Sequence, residues 1–271
     1  MTDRVTVQIH DHVADVRLNR PEKLNALDAG MFAAIVEAGE SLKGNPEVRV
    51  AVLSGEGRSF CAGLDFSSFQ SMADRSGEGA TERGSARDIT APLEGRITHL
   101  GQQAVWVWQE LHIPVIGALS GHALGGGFQI ALGADIRIVH PGTKLSLMEI
   151  RWGLVPDMGA SVLLPQLVGL DVAKDLYFTG RQISGEEAVD LGVCTRCDED
   201  PHGAAMALAS EIAAKNPDAV RRMKEMLNGV ADRNTAARFA AEREHIGALI
   251  GSPNQVEAVT AYFEQRPPGF G

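Results

Sequence analysis

The chain has 271 residues, 44% of them hydrophobic and 22% charged, with a formal net charge of −10. That balance fits a globular protein able to bury a large core, and it argues against a general nucleic-acid binder, which needs a basic face to displace counterions. Three cysteines (Cys61, Cys194 and Cys197), no apolar run of about 18 residues and no apolar stretch in Met1 to His10 set the expectation of a cytoplasmic, reduced protein that does not enter a membrane.

Val5 to His10 and Val13 to Asn19 alternate apolar and polar residues around Asp11-His12, which predicts a β-hairpin. Asp28 reads as a helix N-cap; Phe32, Ile35, Val36 and Leu42 follow at near-helical spacing, and Gly44-Asn45-Pro46 stops the helix. Val48 to Leu53 predicts a buried strand. Residues 67–88, rich in Ser, Gly and charge, read as a loop over a site. The pattern then predicts an amphipathic helix over Leu93 to Leu111, a strand over Val115 to Leu119, a helical segment and a strand over Asp135 to Val139. Such alternation is the signature of an α/β architecture. Ser184-Gly185-Glu186-Glu187 resembles a capping box, with Gly192 ending the helix. Beyond Asp198 the chain is Ala-rich and reads as helices to about Tyr262. The chain thus divides into an α/β core, residues 1–195, and a helical C-terminal region, residues 196–271, whose apolar faces need partners.

Two glycine-rich turns stand out, each after a predicted strand. One is Ser59-Phe60-Cys61-Ala62-Gly63-Leu64-Asp65; the other is Ser120-Gly121-His122-Ala123-Leu124-Gly125-Gly126-Gly127-Phe128. Glycine at such a junction lets a ligand approach backbone N–H groups, and a helix starting there adds unpaired ones, so the pair suits an anion or a developing oxyanion. The competing reading is a tight turn without a ligand. A dinucleotide fingerprint requires differently spaced glycines near the first strand, and neither a P-loop nor a Gly-x-Ser-x-Gly elbow occurs. No metal-ligand spacing is present. Cys194 and Cys197 form a lone CxxC without a redox context, and His122 reads as a turn residue rather than a base.

Leu18-Asn19-Arg20-Pro21-Glu22-Lys23-Leu24-Asn25-Ala26-Leu27 resembles the opening signature of the enoyl-CoA hydratase/isomerase (crotonase) family, and the two glycine turns resemble its oxyanion motifs in order and spacing. Ile150 to Gly159 resembles a third block. The resemblance implies a crotonase-like spiral of ββα units, with a helical C-terminal oligomerisation region that builds trimers or hexamers. It implies an acyl-CoA substrate, with coenzyme A entering as part of that substrate and no bound cofactor. It places the oxyanion N–H groups at Leu64 and Gly126. Coenzyme A would lie along Lys23, Leu24 and Ala26 and the turn Ala62, Gly63, Leu64 and Asp65.

Hydratases similar to this chain use two glutamates, and here those positions hold Gln129 and Glu149. An amide cannot exchange a proton as a carboxylate does, so a two-glutamate hydration is in doubt. Asp157, eight residues beyond Glu149, matches an acid found in dienoyl-CoA isomerases, although those also keep an acid where Gln129 stands. A 4-halobenzoyl-CoA dehalogenase resembles the chain at Asp157 but not at Glu149. The favoured reading is an enoyl- or dienoyl-CoA isomerase using Glu149 and Asp157, with Gln129 positioning substrate. The alternatives are a hydratase, a thioester hydrolase or lyase, and a non-catalytic CoA-binding protein. Asp157 has a plainer role open to it, capping the helix that begins near Gly159.

Overall fold

The structure is a computed structural model that describes residues 4–65, 91–215, 217–228 and 235–266. The stretch read as a loop at 67–88 lies outside them. The predicted hairpin forms as β1 (Val5–His10) and β2 (Val13–Leu18), with Asp11 and His12 at positive φ in the turn. Helix α1 (Ala29–Leu42) starts where Asp28 accepts a hydrogen bond from Met31 N. Strands β3 (Val50–Gly55), β4 (Val115–Leu119) and β6 (Ile136–Val139) then add to β2 in parallel.

A two-residue strand, β8 (Arg196–Cys197), closes the six-stranded sheet in the order β1-β2-β3-β4-β6-β8. The sheet therefore extends just past residue 195. Two further three-residue strands, β5 (His122–Leu124) and β7 (Lys144–Ser146), pair in parallel as a separate small sheet.

Alternate residues of the main sheet enter two different cores. Ala51 and Leu53 face the larger one, with α1 and helix α2 (Leu100–Gln109). Val50, Val52, Ile116 and Ile138 face the other way, onto Ala205, Ala209 and Ala213 of helix α6 (Pro201–Ala213). The small side chains let that helix lie close to the sheet, and its apolar face finds its partner within the chain. Each buried Val, Leu or Ile contributes about 1.5–3 kcal/mol relative to exposure.

The helix expected over Leu93 to Leu111 is shorter than the periodicity predicts. His99 caps it, its Nδ1 accepting from Gly101 N at 3.0 Å, while Gln102 Oε1 accepts from His99 N at 3.1 Å. Histidine is an unusual cap, which is why the sequence pattern ran through it.

Helices α3 (Gly126–Leu132), α4 (Ala160–Thr179, broken at Gly169) and α5 (Gly185–Asp190) complete the core. Beyond α6 come α7 (Pro217–Asn228), α8 (Thr235–Leu249) and α9 (Pro253–Phe263). Lys224 anchors α7, donating to Trp108 O and Ile113 O at 3.0 and 2.9 Å and pairing with Asp135 at 2.8 Å. A buried ammonium is tolerated there because all its partners are in place. Helices α8 and α9 supply Ile246 and Val259, which pack on Trp152 and Leu154 beside the 3-10 turn Met148–Trp152. Among the described residues no helix is long and apolar enough to cross a membrane.

Candidate active site

The two glycine turns leave the carboxyl ends of β3 and β4, where parallel sheets commonly present ligands, and they are bonded to each other. Phe60 N donates to Ser120 O, Cys61 N to His122 O and Leu124 N to Cys61 O, at 2.8, 2.8 and 3.0 Å. The contact is close enough to require glycine. A side-chain carbon on Gly63, whose φ is +88°, would stand 2.5 Å from Leu124 O, and one on Gly127 would stand 2.3 Å from Cys61 O.

Neighbouring backbone donors in both turns are occupied. Ala62 N bonds Leu24 O, Asp65 N bonds Leu27 O and Gly125 N bonds Ser146 O. Between them, the N–H groups of Leu64 and Gly126 meet no acceptor among the described residues. Both residues line a cavity of about 290 Å³ whose wall is otherwise largely apolar, with Leu27, Phe32, Met148, Trp152 and Met158 among its side chains.

Glu149 also lines this cavity, carried on the 3-10 turn Met148–Trp152 that follows β7. One carboxylate oxygen, Oε1, accepts from Gln129 Nε2 at 2.8 Å; the other, Oε2, is shielded from solvent and has no hydrogen-bond partner. Burial pushes the carboxyl up to about 7, against the smaller lowering effects of a backbone hydrogen bond and of Gln129. A carboxyl so placed exchanges its proton near neutrality, as a general acid–base must.

Gln129 is buried, and its amide serves the protein on both sides. Its Oε1 accepts from Met158 N at 2.9 Å and Ala160 N at 3.4 Å, so one side chain joins α3, the Glu149 turn and the start of α4. It is absent from the cavity wall, where the sequence reading expected it to meet substrate. Asp157 is likewise outside that wall. Its carboxylate lies 3.7 Å from His99 Nε2, and its carbonyl lies 3.2 Å from the same nitrogen. Burial holds His99 down to about 4, so it is neutral at physiological pH and anchors the segment through Nε2–H.

Of the proposed coenzyme A segment, Leu24, Ala62, Gly63 and Leu64 line the cavity, Lys23 is exposed nearby, and Ala26 is buried. Asp65 is buried and pairs with Arg20 at 2.6 Å, a partner the sequence pattern did not reveal. Asn25 is the other concealed organiser. Its Nδ2 donates to Glu56 O and Ser59 O, and its Oδ1 accepts from Arg20 N, tying the opening motif to the first glycine turn. Cys61 donates to Asn25 O at 3.1 Å, and burial pushes its thiol up to about 12, which removes it as a nucleophile near neutral pH. Trp106 packs edge-on against Phe239, and Trp108 is wholly buried. His122, read as a turn residue, joins Glu149 in the cavity wall.

The enoyl-CoA hydratase/isomerase family model matches residues 8–271. The chain is similar to the peroxisomal Delta(3,5)-Delta(2,4)-dienoyl-CoA isomerase of Arabidopsis thaliana, with 32% identity over 93% of this chain and 90% of that one. It is similar also to the short-chain-enoyl-CoA hydratase of Clostridium acetobutylicum, with 30% identity over 97% of this chain and 96% of that one. Among solved structures, an enoyl-CoA hydratase/isomerase from Pseudoalteromonas atlantica superposes with a TM-score of 0.84 at 26% identity, covering 99% of this chain and 100% of that chain.

Proposed function

We propose that this chain, which belongs to the enoyl-CoA hydratase/isomerase family, moves a double bond along an acyl-CoA by a proton shuttle on Glu149. The thioester oxygen accepts from Leu64 N–H and Gly126 N–H. Glu149 Oε2 removes an allylic proton from the α-carbon of a 3-enoyl thioester, the electron pair delocalises onto the thioester oxygen as a dienolate, and the same oxygen returns the proton to the γ-carbon. The product is the conjugated 2-enoyl thioester, and no atom is gained or lost. Donors aimed at an oxyanion are each worth about 2.7–4 kcal/mol of barrier.

The observation that carries this reading is the Glu149 carboxyl in the cavity wall beside Leu64 and Gly126, with Oε1 held by Gln129 and Oε2 buried without a partner. Hydration requires a second proton carrier on the attacking water, and the amide of Gln129 supplies none. A second reading, in which Asp157 returns the proton further along a conjugated chain, draws support from the similarity to a dienoyl-CoA isomerase. Incubation with 3-enoyl-, dienoyl- and 2-enoyl-CoA in deuterated water, read by mass spectrometry, tests both. Isomer that keeps most of the transferred hydrogen is expected, and its loss in Glu149→Gln; isomer carrying solvent deuterium at the protonated carbon would favour Asp157 as a second carrier. Water addition as the main reaction of the wild type would sink the proposal.

A further inference from the structure

We infer that the cavity between helices α4 and α7 is a second ligand site, which takes a free monocarboxylate on an apolar chain, with Arg137 meeting the carboxylate. The inference does not depend on the thioester reading of the Glu149 cavity.

This second cavity measures about 480 Å³ and shares no lining residue with the Glu149 cavity. Its size falls in the range of small-molecule sites, roughly 300–1,000 Å³. Leu163 and Leu167 of α4, Ile212 of α6, and Val220, Met223 and Leu227 of α7 make its wall largely apolar. Four charged residues join them: Asp135, Arg137, Lys215 and Lys224. Lys215 is exposed, with Glu211 at 3.8 Å. The other three form an enclosed set in which one carboxylate faces two cations.

That carboxylate is already committed. Asp135 Oδ2 pairs with Lys224 Nζ at 2.8 Å and accepts from Val115 N at 2.7 Å. Arg137, on β6, is 3% exposed and has only neutral partners. Its Nε donates to Val193 O and its Nη1 to Ala134 O, while Nη2 meets no acceptor among the described residues. Arg20, another largely enclosed arginine, shows the usual solution by pairing with Asp65 at 2.6 Å. Cys194 offers Arg137 no counter-charge, because burial pushes its thiol up to about 12. Burial also lowers the proton affinity of Arg137 and of Lys224, and the attraction of Asp135 offsets this only in part.

The set therefore holds one positive charge in excess, in a place where an unpaired charge is costly. A single carboxylate balances it, whereas a phosphate brings nearly two charges. The apolar wall selects the rest of the ligand: a chain that gains from leaving water, as a small hydrated anion does not.

The test is calorimetric titration with octanoate, octanol and acetate, with and without butyryl-CoA. Wild type should bind one octanoate per chain whether or not butyryl-CoA is present, and should bind octanol and acetate at least about tenfold more weakly. Arg137→Gln should weaken octanoate about tenfold or more and change octanol little. Met223 is exposed at the cavity mouth, and Met223→Glu should weaken octanoate about threefold or more at low salt by placing a like charge there. If Arg137→Gln does not fold, the Met223→Glu result decides alone. Octanoate that fails to bind, that butyryl-CoA displaces, or that binds wild type and Met223→Glu equally overturns the site. Light scattering runs beside the titrations. A wild type that binds no octanoate, and whose assembly dissociates in Met223→Glu, has a second copy of the chain on this face, which also overturns it.

Discussion

Removing the charge from Glu149 should make the protein more stable above neutrality, at the expense of its chemistry. The carboxyl rises from 4.5 to about 7 on folding, chiefly through burial. The native state therefore binds the Glu149 proton more tightly than the unfolded chain does. The contribution is full below pH 4.5 and is lost as pH rises through about 7, so the ionised group costs on the order of 3 kcal/mol at pH 8.

Glu149→Gln keeps the shape and an acceptor for Gln129 Nε2, but it places an amide where Oε2 has no partner. That unpaired amide costs about 1–3 kcal/mol at every pH. The quantity to follow is the change in the stability difference with pH. Urea unfolding of variant and wild type at pH 4.5, 6 and 8, at one protein concentration, should show the variant gaining about 3 kcal/mol on the wild type across that range. A difference that stays flat with pH would refute the argument that desolvation controls this carboxyl.

Gln129→Glu should raise water addition by a substantial part of the roughly 10²–10⁴-fold worth of one acid–base group, assayed by loss of 2-enoyl absorbance. The gain is limited because two carboxyls 2.8 Å apart share one proton. Asp157→Asn should retain at least about a tenth of α-proton exchange, since that proton belongs to Glu149; complete loss, with coenzyme A affinity intact, would transfer the argument to the two-acid reading. The chain should form a trimer or hexamer in solution. Leu167, Leu170 and Phe178 on α4 and Met223 and Leu227 on α7 remain exposed. Light scattering that finds a stable monomer at micromolar concentration refutes that assembly.

Local pattern carried the sequence reading wherever local physics decides structure. The β1–β2 hairpin follows from alternation, α1 from the Asp28 cap, and β3 and β4 from β-branched runs. It overran at His99, whose ring replaces a usual cap. The apolar run Leu145 to Met148 reads as a strand and overlaps β7, but β5 went unseen, because a three-residue parallel pairing leaves no periodicity within the segment. The site divides in the same way. Glu149, Leu64 and Gly126 were reached through motif resemblance. The attachments of Gln129 were hidden because its acceptor role is met by the backbone of Met158 and Ala160, and a main-chain N–H has no signature in residue type. Arg20 and Asp65, 45 residues apart, show nothing in sequence that joins them.

The mutual bonding of the two glycine turns bears on how the site fails. Since Cys61 bridges both His122 and Leu124, the spacing between Leu64 and Gly126 is set by the joint as well as by the anchors of each turn. Heat or denaturant that opens this seam removes both donors in one event. Loss of oxyanion binding should therefore follow a single sharp transition, without a stage at which one donor still works.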